Sequence, residues 1–480
     1  MATNLPNSGG TASRDKDYTV ECTISDVAPF TVHFRQPKDM AGRYGFDYPR
    51  DADRYPIEEI FEDVSGNKII DNRKLFIGNI TNFNNIYLKG SKLSHKLKSK
   101  DYLPAWLVLF PHTTSAVYKG GSDMHSLGVK LDLEIQQLIG DKSSLSAGKF
   151  KTLEFASSNP NKLTVYPETI SIAKILNKGV TETIVDGKKG TTRNDYISKK
   201  AILIKGVKNQ LLTQNESIAV YAVSDKCKAL VGELMVHKNN VTYKADLVFV
   251  DVTSSSNSNV NSASDIEYYL KFLSFNQALI RAEKVVQSTF KLHLISQPKV
   301  LSFLATYRAG VAGIQKKDPS LNARDALNKF LDIIKKEFID IYESYGKHIH
   351  TDANGNRIKL NDAKNPKTFI FNTDLEAGRI NGFAPGDVVG GKFQWGNIII
   401  IFKQANTNKD TLVHEIGHSL TLRHVFDSKA PYRFYQGYSN KVMDYTWYRG
   451  KRNAKNKNKR ILFPRYQWYK MQNDTSTYKL

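Results

Sequence analysis

The sequence predicts a chain of two characters: one or two β-sandwich-like domains, then an α+β domain at the C-terminus. Three observations carry that expectation. From Tyr18 to about Val252, short apolar or alternating segments recur between Gly, Asn, Asp and Pro, with little helical periodicity. Residues Thr253–Ser264 read TSSSNSNVNSAS, too polar to bury surface, and so form a linker or an exposed loop. Beyond them, apolar residues recur at helical spacing.

Taken in order, residues 1–16 form a polar tail rich in Ser, Gly and Asn. Strands are expected at Tyr18–Ile24, Trp106–Phe110, Val129–Ile135, Leu163–Val165, Ala201–Ile204, Ile218–Val223 and Leu247–Val252. A soft boundary near Asp141–Gly148 suggests β-rich domains at 17–140 and 141–252, with the linker at 253–264 and a last domain at 265–480. In that domain Tyr269–Val286 reads as helical. The clearest helix is Asn322–Tyr345, where Leu327, Phe330, Leu331, Ile334, Phe338, Ile341, Tyr342 and Tyr345 keep one face apolar. Pro319 and Ser320 mark its start and Gly346 its stop. Thr368–Asn372 and Asn397–Phe402 read as strands, and a second helix begins near Lys409.

Composition narrows the function. With 480 residues, 40% apolar and 24% charged, the chain has material for a large core, which excludes global disorder. Two cysteines, Cys22 and Cys227, are too few for a disulfide scaffold. No apolar run approaches the ~18–20 residues of a membrane span. The start, MATNLPNSGGTASRDKD, lacks the apolar core of a secretory signal, so the chain is expected either to be cytoplasmic or to leave by a leaderless or contractile secretion route. Net charge is +22, and residues 265–480 hold 35 basic against 19 acidic residues. Such a surface suits nucleic acid, an anionic envelope or acidic proteins. The absence of an RNA-binding or helix-turn-helix signature disfavours the first.

The second helix carries His414-Glu415-Ile416-Gly417-His418. Histidines four apart lie one turn apart on one face, so two imidazoles can share a metal ion. Glu415 can reach a water on that metal without being a ligand. His424 follows six residues after His418. In a continuous helix it would point about 240° away, so the helix must end between them for three imidazoles to converge. Val442-Met443-Asp444-Tyr445 follows. Three neutral imidazoles with one open position are a catalytic zinc arrangement, whereas Mg or Ca would want oxygen ligands.

HEIGHSLTLRH followed by KVMDY resembles the metzincin zinc metallopeptidases, whose pattern is HExxHxxGxxH and a methionine-containing turn. Asn381–Phe402 is similar to that family's substrate-rim strand, loop and last core strand. The resemblance covers about residues 265–480. It implies a metzincin-like zincin domain with His414, His418 and His424 as zinc ligands and Glu415 as general base. It makes Met443 an apolar floor and Tyr445 either an extra ligand that swings away to stabilise an oxyanion or a wall residue. The implied activity is that of a metalloprotease, a hydrolase acting on a protein or peptide substrate. One departure is Thr421, where the family has Gly. A β-branched residue resists the left-handed conformation, so Thr421 is expected at an ordinary φ, its hydroxyl capping freed helix carbonyls. Were His424 turned away, Asp427 and Tyr445 would be the nearest substitutes.

The segment GRYGFDYPRD and the layout of β modules before a toxin-like enzyme resemble effectors of bacterial type VI or related contractile secretion systems. That implies a secreted effector whose N-terminal β region meets a secretion apparatus, and a cognate immunity protein or inhibitor as partner. The alternative is a basic β-rich binding or adhesion protein carrying an inactive zincin domain. Intact ligands and base argue against it. Weaker features read as structural. Asp47, Asp51 and Asp53 lack the EF-hand spacing for calcium. Asp352–Asn356 reads as a hairpin turn. Lys451–Arg460, with six basic residues, reads as a solvated loop or a contact for an anionic surface. Cys22 reads as an inert thiol rather than a zinc-capping latency switch.

Overall fold

The computed structural model describes residues 28–445 and 460–480, except for 55–58, 63–67, 72–73, 92–95, 98–99, 114–125, 138–141, 178–179, 185–191, 347–359, 361–365, 379 and 390–391. The expected tail, the strand Tyr18–Ile24, Cys22, the turn Asp352–Asn356 and all of the basic run but Arg460 lie outside the described residues.

The N-terminal half is one β-sandwich. Its first sheet orders Phe30–Arg35, Val129–Gln137, Thr192–Gly206 and Leu163–Tyr166 side by side, with Val180–Ile184 also on Thr192–Gly206. The second orders Thr169–Ser171, Thr152–Ser157, Glu216–Val223, Lys228–Val236, Ala105–Val108 and Gly45–Asp47. Period-two alternation builds the core: Phe30, Val32 and Phe34 alternate inward, and so do Val129, Leu131, Leu133 and Ile135. They meet Leu107, Leu153, Phe155, Ile218 and Val220 of the opposite sheet. A Cβ on Gly232 would lie 2.3 Å from the Val32 carbonyl oxygen, so glycine allows the two sheets to touch there. The Tyr102 hydroxyl links them, accepting from Glu233 N–H and donating to the Val32 carbonyl, both at 2.9 Å.

Two boundaries differ from expectation. Strands from both sides of residue 141 pair with each other in both sheets, Val129–Gln137 with Thr192–Gly206 and Ala105–Val108 with Lys228–Val236, so 17–140 and 141–252 are not separate domains. Tyr243–Thr253 leaves the sandwich altogether and becomes an interior strand of the C-terminal sheet, between Ile280–Lys291 and Thr368–Thr373. The supposed linker is therefore the loop between that strand and the helix Ile266–Phe272. It is tied down: Ser254 N–H donates to Asp374 at 2.8 Å, and Asn372 Nδ2 donates to Ser262 Oγ at 3.0 Å. Its serines and asparagines satisfy backbone and side chains at the sheet's end instead of facing only water.

The C-terminal sheet runs Ile280–Lys291, Tyr243–Thr253, Thr368–Thr373, Ile398–Ile401 and Gly382–Phe383. The first four are parallel; Gly382–Phe383 is the antiparallel edge. Thr477–Lys479 pairs with the start of Tyr243–Thr253. The stretch expected as a helix over Tyr269–Val286 splits. A helix ends at Phe272, Leu279 turns at φ 56°, and Ile280–Lys291 is a strand. Its β-branched Val285, Val286 and Thr289 suit a pleated edge better than a helix. Helix Pro298–Lys317 was not foreseen; Gly310 kinks it at φ 60°. The expected long helix starts at the Asn322 N-cap, whose Oδ1 accepts from Arg324 and Asp325 N–H. It continues through π-helical turns to Gly346. Val248, Val250, Phe369, Phe371, Ile398 and Ile400 face it on one side of the sheet. Phe249, Ile370, Ile399 and Ile401 face the site helix on the other.

The two halves share that second core. Phe76, Phe83, Tyr87 and Trp106 pack in one cluster with Ile416, Met443, Phe463 and Trp468. Strand Phe76–Ile77 pairs with Arg433–Phe434. Gly45 sits so close to the C-terminal half that a Cβ there would meet the Gln277 carbonyl at 2.2 Å. Buried charge joins the halves too: Asp47 accepts from Tyr87 Oη at 2.9 Å and Arg465 N–H at 2.8 Å. The fully buried Lys441 ammonium stands 3.6 Å from Asp53, over the Phe434 ring. Asp47, Asp51 and Asp53 thus serve ion pairs: Asp51 meets Arg193 at 2.6 Å and Asp47 meets Arg50 at 3.6 Å. Cys227 is disulfide-bonded.

Candidate metal centre

Helix Lys409–Ser419 begins at Asn408, whose side chain accepts from Thr411 N–H at 3.0 Å. It ends in a Schellman turn. Thr421 N–H donates to the His418 carbonyl at 2.9 Å, and Leu422 N–H to that of Gly417 at 3.0 Å. Thr421 is the left-handed residue of that turn, at φ 68°. The expectation of an ordinary conformation there is wrong. The two carbonyls need donors, and only a left-handed residue turns the chain sharply enough to supply them. The hydroxyl does not cap them; it donates to the Asp474 carboxylate.

That turn carries His424 back to the helix. Its Nε2 lies 3.1 Å from Nε2 of His418 and 3.2 Å from Nε2 of His414. Four-coordinate zinc with Zn–N near 2.0–2.1 Å requires nitrogens about 3.3 Å apart, so the three atoms fit one tetrahedral ion. Tautomers are set from behind. Nδ1–H of His414 donates to the Val442 carbonyl and that of His418 to the Leu422 carbonyl, each at 2.8 Å. Those bonds leave Nε2 lone pairs directed inward. Burial pushes the imidazoles down, His418 to about 3 and His424 to about 4, with His414 also well below its ordinary value. They are therefore neutral at pH 7, as ligands must be.

The methionine turn is part of the same construction. A Cβ on Gly417 would lie 2.6 Å from Met443 Sδ, so glycine at this position lets Met443 press against the helix between the two histidines. Asp444, fully buried, holds the turn by accepting from Gly437, Ser439 and Tyr445 N–H and from the Ser439 hydroxyl at 2.7–2.9 Å. Val425 N–H donates to the Met443 carbonyl at 3.0 Å, fixing the segment that bears His424.

Glu415 lies beneath the antiparallel edge strand. A Cβ on Gly382 would be 2.7 Å from its Cγ, and Ala384 N–H donates to its carboxylate. Burial pushes this carboxyl up to about 8. The Tyr445 ring stands 4.6 Å from that of His424 and 5.4 Å from that of His414; burial, then Glu415, push its hydroxyl up to about 12.

The structure thus brings His414, Glu415, His418, His424, Met443 and Tyr445 to one place. Asp427 is not among them; it pairs with Arg423 at 3.3 Å. Sequence reasoning missed Asp444, although an acidic residue inside a tight turn is itself a signal. It missed Lys441, for which no local signal exists, and it treated Arg460 only as one member of a basic run. Arg460 lies beside His414, its Nη1 3.4 Å from Nδ1. No protein-family model matches the chain, and no curated protein or solved structure matches it. Among the described residues no helix is long and apolar enough to cross a membrane.

Proposed function

We propose that the chain is a zinc-dependent endopeptidase of metzincin-like type. The observation that carries this reading is the convergence of three Nε2 atoms at tetrahedral spacing beside a carboxylate that is not one of them. Held by His414, His418 and His424, zinc would supply Lewis acidity to a carbonyl and to a water. Glu415 takes the proton of that water on its carboxylate and passes it to the leaving amine. Tyr445, kept protonated, donates a hydrogen bond to the oxygen on which negative charge develops. Among the described residues the edge strand Gly382–Phe383 pairs on one side alone, so an extended peptide can add along the other as a further antiparallel strand, above Glu415.

The role of an exported effector or toxin, with a secretion apparatus and an immunity protein as partners, is a further proposal carried by sequence resemblance alone. In the fold, GRYGFDYPRD joins the two halves through Gly45 and Asp47.

Elemental analysis of purified protein and digestion of a peptide library test the reading. About one zinc per chain and endoproteolytic cuts are expected, with His418→Ala losing both metal and cleavage. A chain that takes up no zinc on titration, or one that binds zinc and cuts nothing in the library, refutes it.

A further inference from the structure

We propose that Phe426 is a positioning residue for the metal centre. Its ring, stacked on the imidazole of His424, holds the third ligand in the orientation that hydrogen bonds give the other two. This rests on the zinc reading of the site and adds to it a residue that is neither ligand nor base.

A metal-ligating histidine commonly gives its second ring N–H to a fixed acceptor, which sets both tautomer and ring angle. His414 and His418 follow that pattern, with the Val442 and Leu422 carbonyls each 2.8 Å from Nδ1. His424 departs from it. Among the described residues its Nδ1 makes no hydrogen bond; the polar contacts of the ring are the two Nε2 approaches within the cluster. What touches the imidazole instead is aromatic. The Phe426 ring lies 4.8 Å from it, centroid to centroid, and 11° from parallel. Both rings also meet that of Tyr445, Phe426 at 5.0 Å and His424 at 4.6 Å. The backbone explains how residues two apart come to stack. Asp427 N–H donates to the His424 carbonyl at 3.1 Å, which closes a four-residue turn over 424–427. The turn is anchored at Val425, whose N–H donates to the Met443 carbonyl at 3.0 Å and whose carbonyl accepts from Phe434 N–H at 2.8 Å. The Asp427 carboxylate fixes its far end, accepting from Lys429 N–H at 2.8 Å and pairing with Arg423 at 3.3 Å. So built, the turn folds Phe426 back onto the ligand. The outer torsion of a histidine side chain is soft, and turning it swings Nε2 out of the point of convergence. A ring lying flat on the imidazole opposes that motion, because rotation drives the imidazole edge into the aromatic face. Phe426 has no polar side-chain atom, so its part is played through His424 alone.

The test uses the full chain, stripped by a chelator and titrated with zinc against a competing indicator, so that the readout does not depend on turnover. Phe426→Leu keeps apolar bulk at the position and removes the flat ring; Phe426→Tyr keeps the ring. Zinc affinity should fall about three- to tenfold in Phe426→Leu, the range of an aromatic pair beyond its area burial, and return to the wild-type value in Phe426→Tyr. Phe426→Ala should lose at least as much as Phe426→Leu, and where it fails to fold the leucine variant decides. Cobalt(II) in place of zinc supplies a spectroscopic signature: its visible absorption, set by the geometry of the ligands, should change in Phe426→Leu and be restored in Phe426→Tyr. Zinc affinity in Phe426→Leu equal to wild type overturns the proposal. So does a Phe426→Tyr variant as weak as Phe426→Leu, since the ring would then not be what holds the ligand. A cobalt spectrum unchanged in Phe426→Leu also overturns it, because the ligands would keep their geometry without the stack. Wild type that takes up no zinc defeats the metal-centre reading and this inference with it, whereas zinc-binding wild type matched by Phe426→Leu defeats the role of Phe426 alone.

Discussion

Glu415→Gln should abolish the proposed peptide cleavage and stabilise the metal-free chain. The carboxylate is buried, so it prefers its neutral state, and its pKa rises from 4.5 to about 8. A carboxyl raised on folding contributes stability fully below pH 4.5 and loses it as pH climbs toward 8. At about 1.4 kcal/mol per pH unit the ceiling is about 5 kcal/mol at pH 8. Arg460 nearby and water entering the cleft reduce it, so a gain of about 2 kcal/mol is expected for Gln, which keeps the shape without the charge. Urea unfolding of the chelator-treated wild type and variant at pH 5 and pH 8 measures it. The difference should be small at pH 5 and largest at pH 8. Zinc reverses the sign, because a divalent cation beside the carboxylate favours the ionised form. The variant should therefore gain nothing in the zinc-loaded state, while zinc stays bound and peptide cleavage falls by at least about a hundredfold. A metal-free variant less stable than wild type at pH 8, or one that still cleaves peptides at near wild-type rate, would show that Glu415 is neither strained by burial nor the base.

Thr421→Gly removes a left-handed β-branched residue that costs about 1–2 kcal/mol, while Thr421→Val keeps the strain and deletes the bond to Asp474. Thermal melts should find the glycine variant at least as stable as wild type and the valine variant weaker; a glycine variant clearly below valine refutes the strain. Asp53→Leu alone leaves Lys441 buried without its counter-charge and should cost about 3–5 kcal/mol, whereas adding Lys441→Met should restore at least half; additive losses in the double variant would mean that the pair does not interact. A fragment of residues 265–480 lacks the interior strand Tyr243–Thr253 and should neither fold nor bind zinc, read by amide dispersion and metal content; a folded, zinc-bearing fragment would restore the simpler domain division. Unfolding in denaturant without reductant should expose no thiol from Cys227, by colorimetric thiol titration, because that residue is disulfide-bonded.

What was legible in the sequence is what periodicity and spacing encode locally. The strands around Val129–Ile135, Ile218–Val223 and Thr368–Asn372 alternate or run apolar, and each lies where the pattern put it. The meeting of His414 and His418 was legible because four residues on a helix set the distance between two imidazoles whatever surrounds them. Partnership was not legible. Leu247–Val252 is a correctly placed strand whose sheet could not be known, since a parallel interior strand reads the same beside any neighbour. The Ser/Asn stretch misled for a related reason: low hydrophobicity says that a segment does not build a core, not that its hydroxyls and amides lack partners. Asp47, Asp53 and Lys441 look like surface residues one at a time, and only the meeting of two halves of the chain buries them.

Thr421 holds the sharper lesson. The argument against a left-handed threonine weighed the residue's own preference, a matter of about 1–2 kcal/mol. Against it stand two terminal carbonyls bonded through the turn, the Leu422 carbonyl that orients His418, and the return of His424 to within 3.1 Å of its partner. Each of these terms is of comparable size, and they act together. A histidine three residues beyond the turn comes back to the helix only through that turn, so here the bonds and contacts that the turn makes possible outweigh the propensity of the residue at its centre.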